Sequence, residues 1–326
     1  MQKIELKIRS LTLTNPIILA PMAGISNLPY RRIMKSCGAA LVFTEMISAN
    51  GLIRDGAKTR QLLASHADEY PLGIQLFGSD PGVLAEAVTR LDSRPQVLDL
   101  NMGCPVKKVV RSGSGSALLR EPRQIAAILR RVRSCFDGPL TIKIRSGWDV
   151  HNINFLDIGH IAQEEGVDAV TLHPRTRCQG FSGQADWNHI RNLKENLNIP
   201  VFGSGDIMTA EDGVRMFRET GCDGLMIGRG GYGNPWLIHQ LNAILLKEGR
   251  VTPPDADEKL NMIRRHIDLH REQFGSDKTL LEMRKHICWY ARGMNGAGQF
   301  RSHLQSCREL TELITLTEQF FQQEDR

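Results

Sequence analysis

Eight short apolar runs, each followed by polar or glycine-rich residues, set the tightest limit on how this chain folds. The runs are Ile17–Leu19, Ala40–Phe43, Leu72–Phe77, Val97–Leu100, Leu140–Ile144, Ala169–Leu172, Pro200–Phe202 and Gly224–Ile227. They are too short for helices and largely apolar on both faces, as parallel strands covered by helices must be. The segments between them carry helix signals. Asp80-Pro81 reads as an N-cap followed by proline at the first helical position. Thr209-Ala210-Glu211-Asp212 reads as a capping box with Asp in place of the usual Glu, and Gln124 to Val132 has apolar residues at helical spacing. Eight βα units in roughly 240 residues match the size of a (β/α)8 TIM barrel. A doubly wound α/β sheet is the main alternative. The count of eight and the polar strand ends favour the barrel, in which all those ends converge on one face. Ahead of the first run, Ile4–Arg9 and Leu11–Thr14 read as a hairpin plugging the barrel's bottom.

The pattern breaks at Val251-Thr252-Pro253-Pro254-Asp255. Beyond it the chain reads as helices over Asp257–Gln273, Thr279–Arg292 and Glu309–Gln322. Two domains are therefore expected, a catalytic barrel over 1–250 and a small helical bundle over 251–326. The net charge is +5, and the basic excess lies in the first part. From Val251 on there are 11 basic and 12 acidic residues, and the first 250 hold the remaining 30 and 24. This is mild evidence for a polyanionic partner and equally suits an ordinary soluble surface. Seven cysteines stand singly, with no CxxC pair and no Cys/His cluster at zinc spacing, so no metal site is expected. Such cysteines fit a reducing cytosol, and a cytoplasmic, monomeric protein is expected. The N-terminus lacks the apolar core of a signal peptide, and no run is long enough to cross a bilayer.

The strand ends carry the chemistry. Leu98-Asp99-Leu100-Asn101-Met102-Gly103-Cys104-Pro105 is an apolar run ending in an Asn and a thiol, followed by a basic, glycine-rich loop. A thiol at a strand mouth points to proton transfer or nucleophilic chemistry. Strand one ends in Ala20-Pro21-Met22-Ala23-Gly24, a turn whose backbone can face a flat ligand. Strand three presents Gln75, a neutral donor and acceptor for an amide-like heterocycle. Strand five presents Lys143 and Arg145; Lys143 points inward if Ile142 and Ile144 point outward. Strand six ends in His173-Pro174-Arg175-Thr176-Arg177. Strands seven and eight end in Gly203-Ser204-Gly205-Asp206 and Gly228-Arg229-Gly230-Gly231, where barrels commonly bind phosphate. Gly228, Gly230 and Gly233 also satisfy a dinucleotide motif with Glu248 as its acid, a reading rejected because the segment closes the βα series. A phosphate grip with Gln, Lys and His around a flat ring suits flavin mononucleotide (FMN).

Ala20 to Gly24, Asn101 to Pro105, Lys143-Ile144-Arg145, His173 to Thr176 and Ile227-Gly228-Arg229 together resemble the tRNA-dihydrouridine synthases. Arg284-Lys285-His286 and Trp289-Tyr290 bring the resemblance nearest the bacterial B-type. The resemblance implies an FMN-bearing barrel, a helical tRNA-binding domain, NADPH as reductant and reduction of a D-loop uridine at its 5,6 double bond. It implies Cys104 as the acid, and Asn101 as a support for the uracil. Pro21, Met22, Gln75, Lys143, His173, Gly205, Gly228 and Arg229 would hold FMN, with Ala23, Ser204 and Asp206 completing that set. Ser204 stands where the B-type pattern usually has Asn, and Pro174 where Gly is common. The expected cycle passes hydride from NADPH through FMN to uracil C6, while Cys104 protonates C5. Candidate RNA contacts are Lys107, Lys108, Arg111, Arg175 and Arg177 around the mouth, with Arg284, Lys285 and His286 on the tail. Two rivals remain. A dihydroorotate-dehydrogenase-like FMN barrel would not need the helical tail, and a noncatalytic RNA-binding protein would not need Cys104 or Lys143.

Overall fold

A computed structural model of the chain describes residues 5–91, 95–247, 249 and 251–323. Ile4 of the expected hairpin, Glu248 and the boundary residue Arg250 lie outside them. Each apolar run becomes a parallel strand: Ile17–Leu19, Val42–Phe43, Leu72–Phe77, Val97–Met102, Leu140–Arg145, Ala169–His173, Val201–Ser204 and Gly224–Ile227. These are barrel strands one to eight. Hydrogen-bonded neighbours run from strand one through eight, seven, six, five, four and three to two. The ring closes where Leu19 N–H donates to Leu41 O (2.9 Å) and Ala40 N–H to Ile17 O (2.8 Å). A ninth short strand, Ile47–Ser48, pairs beside strand three. The architecture is the TIM barrel, not the doubly wound sheet.

The helices form where their caps predict. Asp80 Oδ1 accepts from Val83 N–H with Pro81 opening the helix Pro81–Thr89, and Thr209 and Asp212 cap each other at the start of Ala210–Thr220. Their apolar faces and the outward strand residues make one continuous core that includes Leu98, Leu100, Ile142, Ile144, Ile128 and Leu241. Inward residues make a second cluster of Ile18, Val97, Ala169, Phe202 and Met226. Leu6, Ile8 and Leu13 belong to it, because the antiparallel pair Leu6–Ile8 and Leu11–Leu13 pushes its apolar side into the barrel's lower end. The mouth is left to polar residues.

Beyond residue 251 lie four helices, Ala256–Phe274, Ser276–Tyr290, Ala297–Ser306 and Leu310–Gln323, where the sequence pattern predicts three. They share their own apolar cluster, including Ile263, Met283, Ile287, Phe300, Leu304, Leu313 and Phe321. The bundle leans on the barrel near strands one and eight. Tyr232 stacks on Trp289 at 4.3 Å, and Lys285 Nζ donates to Gly24 O at 2.6 Å. Gly233 makes this approach possible. Its φ is +65°, and a Cβ there would stand 2.2 Å from the Trp289 carbonyl carbon. The third glycine of the apparent dinucleotide motif is thus a packing residue. Gly233→Ala is expected to destabilise the fold by about 2–3 kcal/mol, from left-handed strain and overpacking together. A thermal melt checks this, and an unchanged melting temperature would mean that the contact yields without strain. Among the described residues no helix is long and apolar enough to cross a membrane.

Candidate active site

A cavity of about 300 Å³ opens at the C-terminal ends of the strands. Its walls include Pro21, Met22, Ala23, Asn101, Cys104, Lys143, His173, Ser204, Gly205, Asp206, Gly228 and Arg229, contributed by strands one, four, five, six, seven and eight. The pleat explains the convergence. Register aligns Asn101 with Lys143 and Lys143 with Thr171, so these residues share one inward layer. Asp99, Thr141 and Ala169 form the layer beneath, nearer the barrel's plugged end.

Lys143 faces this cavity and makes no ion pair or hydrogen bond among the described residues. Burial, reinforced by the nearby Arg145, pulls its pKa down from 10.5 to about 8. The lone ammonium is therefore poised to gain from a bound anion. His173 is held well below its ordinary range, first by burial and then by Lys143, Arg145, Arg175 and Arg229. It is a neutral imidazole at physiological pH. Gly205 has φ +106°, a conformation open to glycine, and carries the chain past the His173 ring without a side chain. Bare backbone at Gly205 and Gly228 with Arg229 beside it makes a cradle for an anionic group.

Cys104 lies across the cavity on the loop leading to the short helix Lys107–Arg111. Burial pushes its thiol pKa up, opposed by the Val106 N–H, Arg145 and Lys143. The thiol stays protonated at neutral pH, as a proton donor requires and a nucleophile does not. Its loop is held from two sides. Asn101 Oδ1 accepts from Cys104 N–H at 2.9 Å, and Ser116 Oγ donates to Cys104 O at 2.9 Å.

Several expected residues take other places. Gln75 is fully buried behind Asn101 and does not line the cavity; its amide bonds Asp99 and Asn101. Ser204 reaches the wall, but its hydroxyl donates to Met226 O. The Asp206 carboxylate accepts from Arg175, Arg229 and Ala185 N–H. Arg175, expected at the RNA surface, is buried instead, holding Asp206, Ser182 O and Gly183 O. Arg177 stacks half-buried on Trp148, with Arg120 on the same ring. Arg284 donates to Cys307 O inside the bundle, and His286 is buried against Tyr30 and His266. Lys285 is engaged with Gly24 O, whereas Lys107, Lys108 and Arg111 stand exposed beside the mouth. Phe181 is an addition from the fold. It is 56% exposed on the cavity rim, with the Arg229 and Arg145 guanidiniums 4.7 and 5.4 Å from its ring centre. Nothing in its local sequence distinguishes it from a loop phenylalanine.

Comparisons with known proteins bear on this site. A family model described as dihydrouridine synthase matches residues 18–325. The chain is 39% identical over 317 residues to tRNA-dihydrouridine synthase B of Pasteurella multocida, covering 97% of this chain and 96% of that protein. It is 40% identical over 299 residues to a probable tRNA-dihydrouridine synthase of Rickettsia prowazekii, covering 91% of each. Among solved structures, histamine dehydrogenase from Rhizobium sp. 4-9 superposes with a TM-score of 0.56 at 12% identity, over 81% of this chain and half of that one. That likeness concerns the fold.

Proposed function

The chain belongs to the dihydrouridine synthase family, and from that premise we propose that it reduces a D-loop uridine of tRNA to 5,6-dihydrouridine, using bound FMN and NADPH. One observation carries the reading: a single cavity joins a protonated thiol to an unpaired lysine and a glycine-lined, cationic cradle. The residues fit a flavin with its phosphate. Gly205, Gly228 and Arg229 would hold the phosphate, and Lys143 and neutral His173 would border the ring. Pro21, Met22 and Ala23 supply a flat wall. Bound FMN would supply the hydride, drawn from NADPH. Lys143 would balance negative charge gained on reduction, and Cys104 would give its Sγ proton to uracil C5.

A uridine within folded tRNA must leave its stack to reach this depth. Phe181 on the rim offers a stacking face flanked by arginines, and Lys107, Lys108 and Arg111 offer charge to the backbone. The helices beyond Val251 extend the RNA-holding surface on the side where Lys285 meets Gly24.

The test is spectroscopic. Purified protein should carry a visible flavin band that NADPH bleaches. Unmodified tRNA should restore the band anaerobically, and free orotate should not. Absence of flavin, even after incubation with FMN, would undo the assignment and leave a noncatalytic RNA-binding protein. Recovery with orotate would favour the small-molecule dehydrogenase.

Lys143 gives this reading a pH signature. Its pKa in the folded, ligand-free protein is below its ordinary value, so the unfolded chain holds the proton more tightly. Lys143 therefore makes the free protein gain stability as pH rises from about 8 toward 10.5. An anionic ligand favours the ammonium, so FMN affinity should run the other way and fall up to about tenfold per pH unit above that midpoint. Fluorescence titrations of FMN across that range check the effect. Lys143→Gln should remove the decline, and a decline that survives it would assign the titration to another group.

A further inference from the structure

The geometry points to Asp99 as a positioning residue for Cys104, acting through a one-way row of hydrogen bonds that runs Asp99, Gln75, Asn101, Cys104 N–H. The sequence shows an acid inside the apolar run Leu98-Asp99-Leu100. In the structure its side chain is fully buried in the barrel interior, below the cavity floor. Thr141 Oγ1 donates to Asp99 Oδ1 at 2.5 Å, and Gln75 Nε2 donates to Asp99 Oδ2 at 2.6 Å. Asn101 Nδ2 then donates to Gln75 Oε1 at 2.9 Å, and Asn101 Oδ1 accepts from Cys104 N–H at 2.9 Å and from Gly103 N–H at 3.3 Å.

The direction of this row is set at both ends, by the buried acid and by the donating N–H groups of Gly103 and Cys104. A carboxylate offers only acceptors, whereas each amide offers a donor end and an acceptor end. Asp99 therefore draws the NH2 of Gln75 toward itself and turns the Gln75 oxygen toward Asn101. That oxygen draws the Asn101 NH2 and turns the Asn101 oxygen toward the Cys104 loop. The last link is the one the site needs, because Cys104 N–H must meet an acceptor. Although burial raises the Asp99 carboxyl to about 6, it remains ionised at neutral pH, and the row keeps its direction there. Asn101 is held from the loop side as well, by the Gly103 and Cys104 N–H groups, so the buried acid and the loop fix one orientation of the row between them.

Asp99→Asn keeps the size and the row, because the introduced amide oxygen accepts from Gln75 Nε2 while its NH2 donates to the Thr141 hydroxyl, which both gives and accepts. Asp99→Leu removes the acceptor. Gln75 Nε2 is then buried without a partner, and turning the Gln75 amide to escape would set its NH2 against the NH2 of Asn101.

The inference rests on Cys104 being the working group of this site, but its test does not. The readout is the rate at which iodoacetamide alkylates Cys104 in the otherwise native full-length protein, followed by peptide mass spectrometry and normalised to exposed Cys178. Asp99→Leu should raise the Cys104 rate about tenfold, as expected for loss of one buried hydrogen bond along the row that closes the loop. Asp99→Asn should keep the wild-type value. A folded Asp99→Leu protein with an unchanged Cys104 rate overturns the row, and so does a fast Cys104 in Asp99→Asn. If Asp99→Leu does not fold, Gln75→Leu cuts the row one link further on: a fast Cys104 there supports the row, and an unchanged one overturns it. Failure of Cys104 as the acid would show instead in tRNA turnover, leaving these rates as predicted.

Discussion

Replacing Cys104 by alanine should slow uridine reduction by roughly 10²–10⁴, the usual contribution of a positioned acid, while NADPH still bleaches the flavin at the wild-type rate. The split follows from where the thiol stands. It lines the cavity from the strand-four side, whereas Lys143, His173, Gly205, Gly228 and Arg229 approach from strands five to eight. Removing the thiol leaves that second set intact. Burial raises the Cys104 pKa, so the acid remains loaded through neutral pH and is lost only under alkaline conditions. Wild-type turnover should therefore hold a plateau and then fall as pH rises past the thiol's pKa. Cys104→Ser should resemble the alanine variant, because a hydroxyl is a far weaker acid. Stopped-flow measurement of the two half-reactions decides the matter. A parallel fall in both would make Cys104 a structural residue of the cavity wall.

The barrel is legible in the sequence because its constraints are local and repeated. Eight runs with polar ends read as strands whichever residues surround them, and the capping pairs at Asp80 and Thr209 mark their helices unaided. The helix Ala297–Ser306 escapes the pattern because Gly296 and Gly298 read as loop, although Phe300 and Leu304 pack it firmly. For side chains, pattern gives the direction in which a residue points but not what it meets. The alternation that turns Lys143 inward also turns Asp99 inward, and an acid between two leucines is the available sign that it matters. Arg175 and Lys107 carry the same charge in sequence. Only the fold shows that Asp206 and two loop carbonyls consume the first, while the second stays in solvent. Gln75 sits on strand three as the sequence indicates, yet its depth behind Asn101 depends on strand four and cannot be read from either strand alone.

Glu69→Gln should destabilise the folded protein by about 3–5 kcal/mol, the usual result of removing one partner from a buried ion pair, and should weaken flavin binding with it. Arg31 and Glu69 are both fully buried, with Nε to Oε2 at 2.6 Å and Nη2 to Oε1 at 3.1 Å. Glutamine retains one acceptor but leaves the guanidinium without a counter-charge, and arginine cannot shed its proton to escape. Arg31→Met should be milder, because the stranded carboxyl can take up a proton. Arg31→Met/Glu69→Leu should recover much of the loss, since a well-packed apolar pair avoids the desolvation penalty altogether. The link to the cavity runs through the same guanidinium. Arg31 Nη1 donates to Ser26 O at 3.0 Å, and Ser26 Oγ accepts from Met22 N–H at 2.9 Å, holding the turn that forms the cavity's flat wall. Flavin affinity should therefore stay low in the double variant even where stability returns, because its methionine cannot replace the bond to Ser26. Chemical denaturation and FMN titration on the three variants separate these effects. A Glu69→Gln protein within about 1 kcal/mol of wild type would show that water or local rearrangement satisfies Arg31. Full recovery of FMN affinity in the double variant would show that the wall at Met22 holds without it.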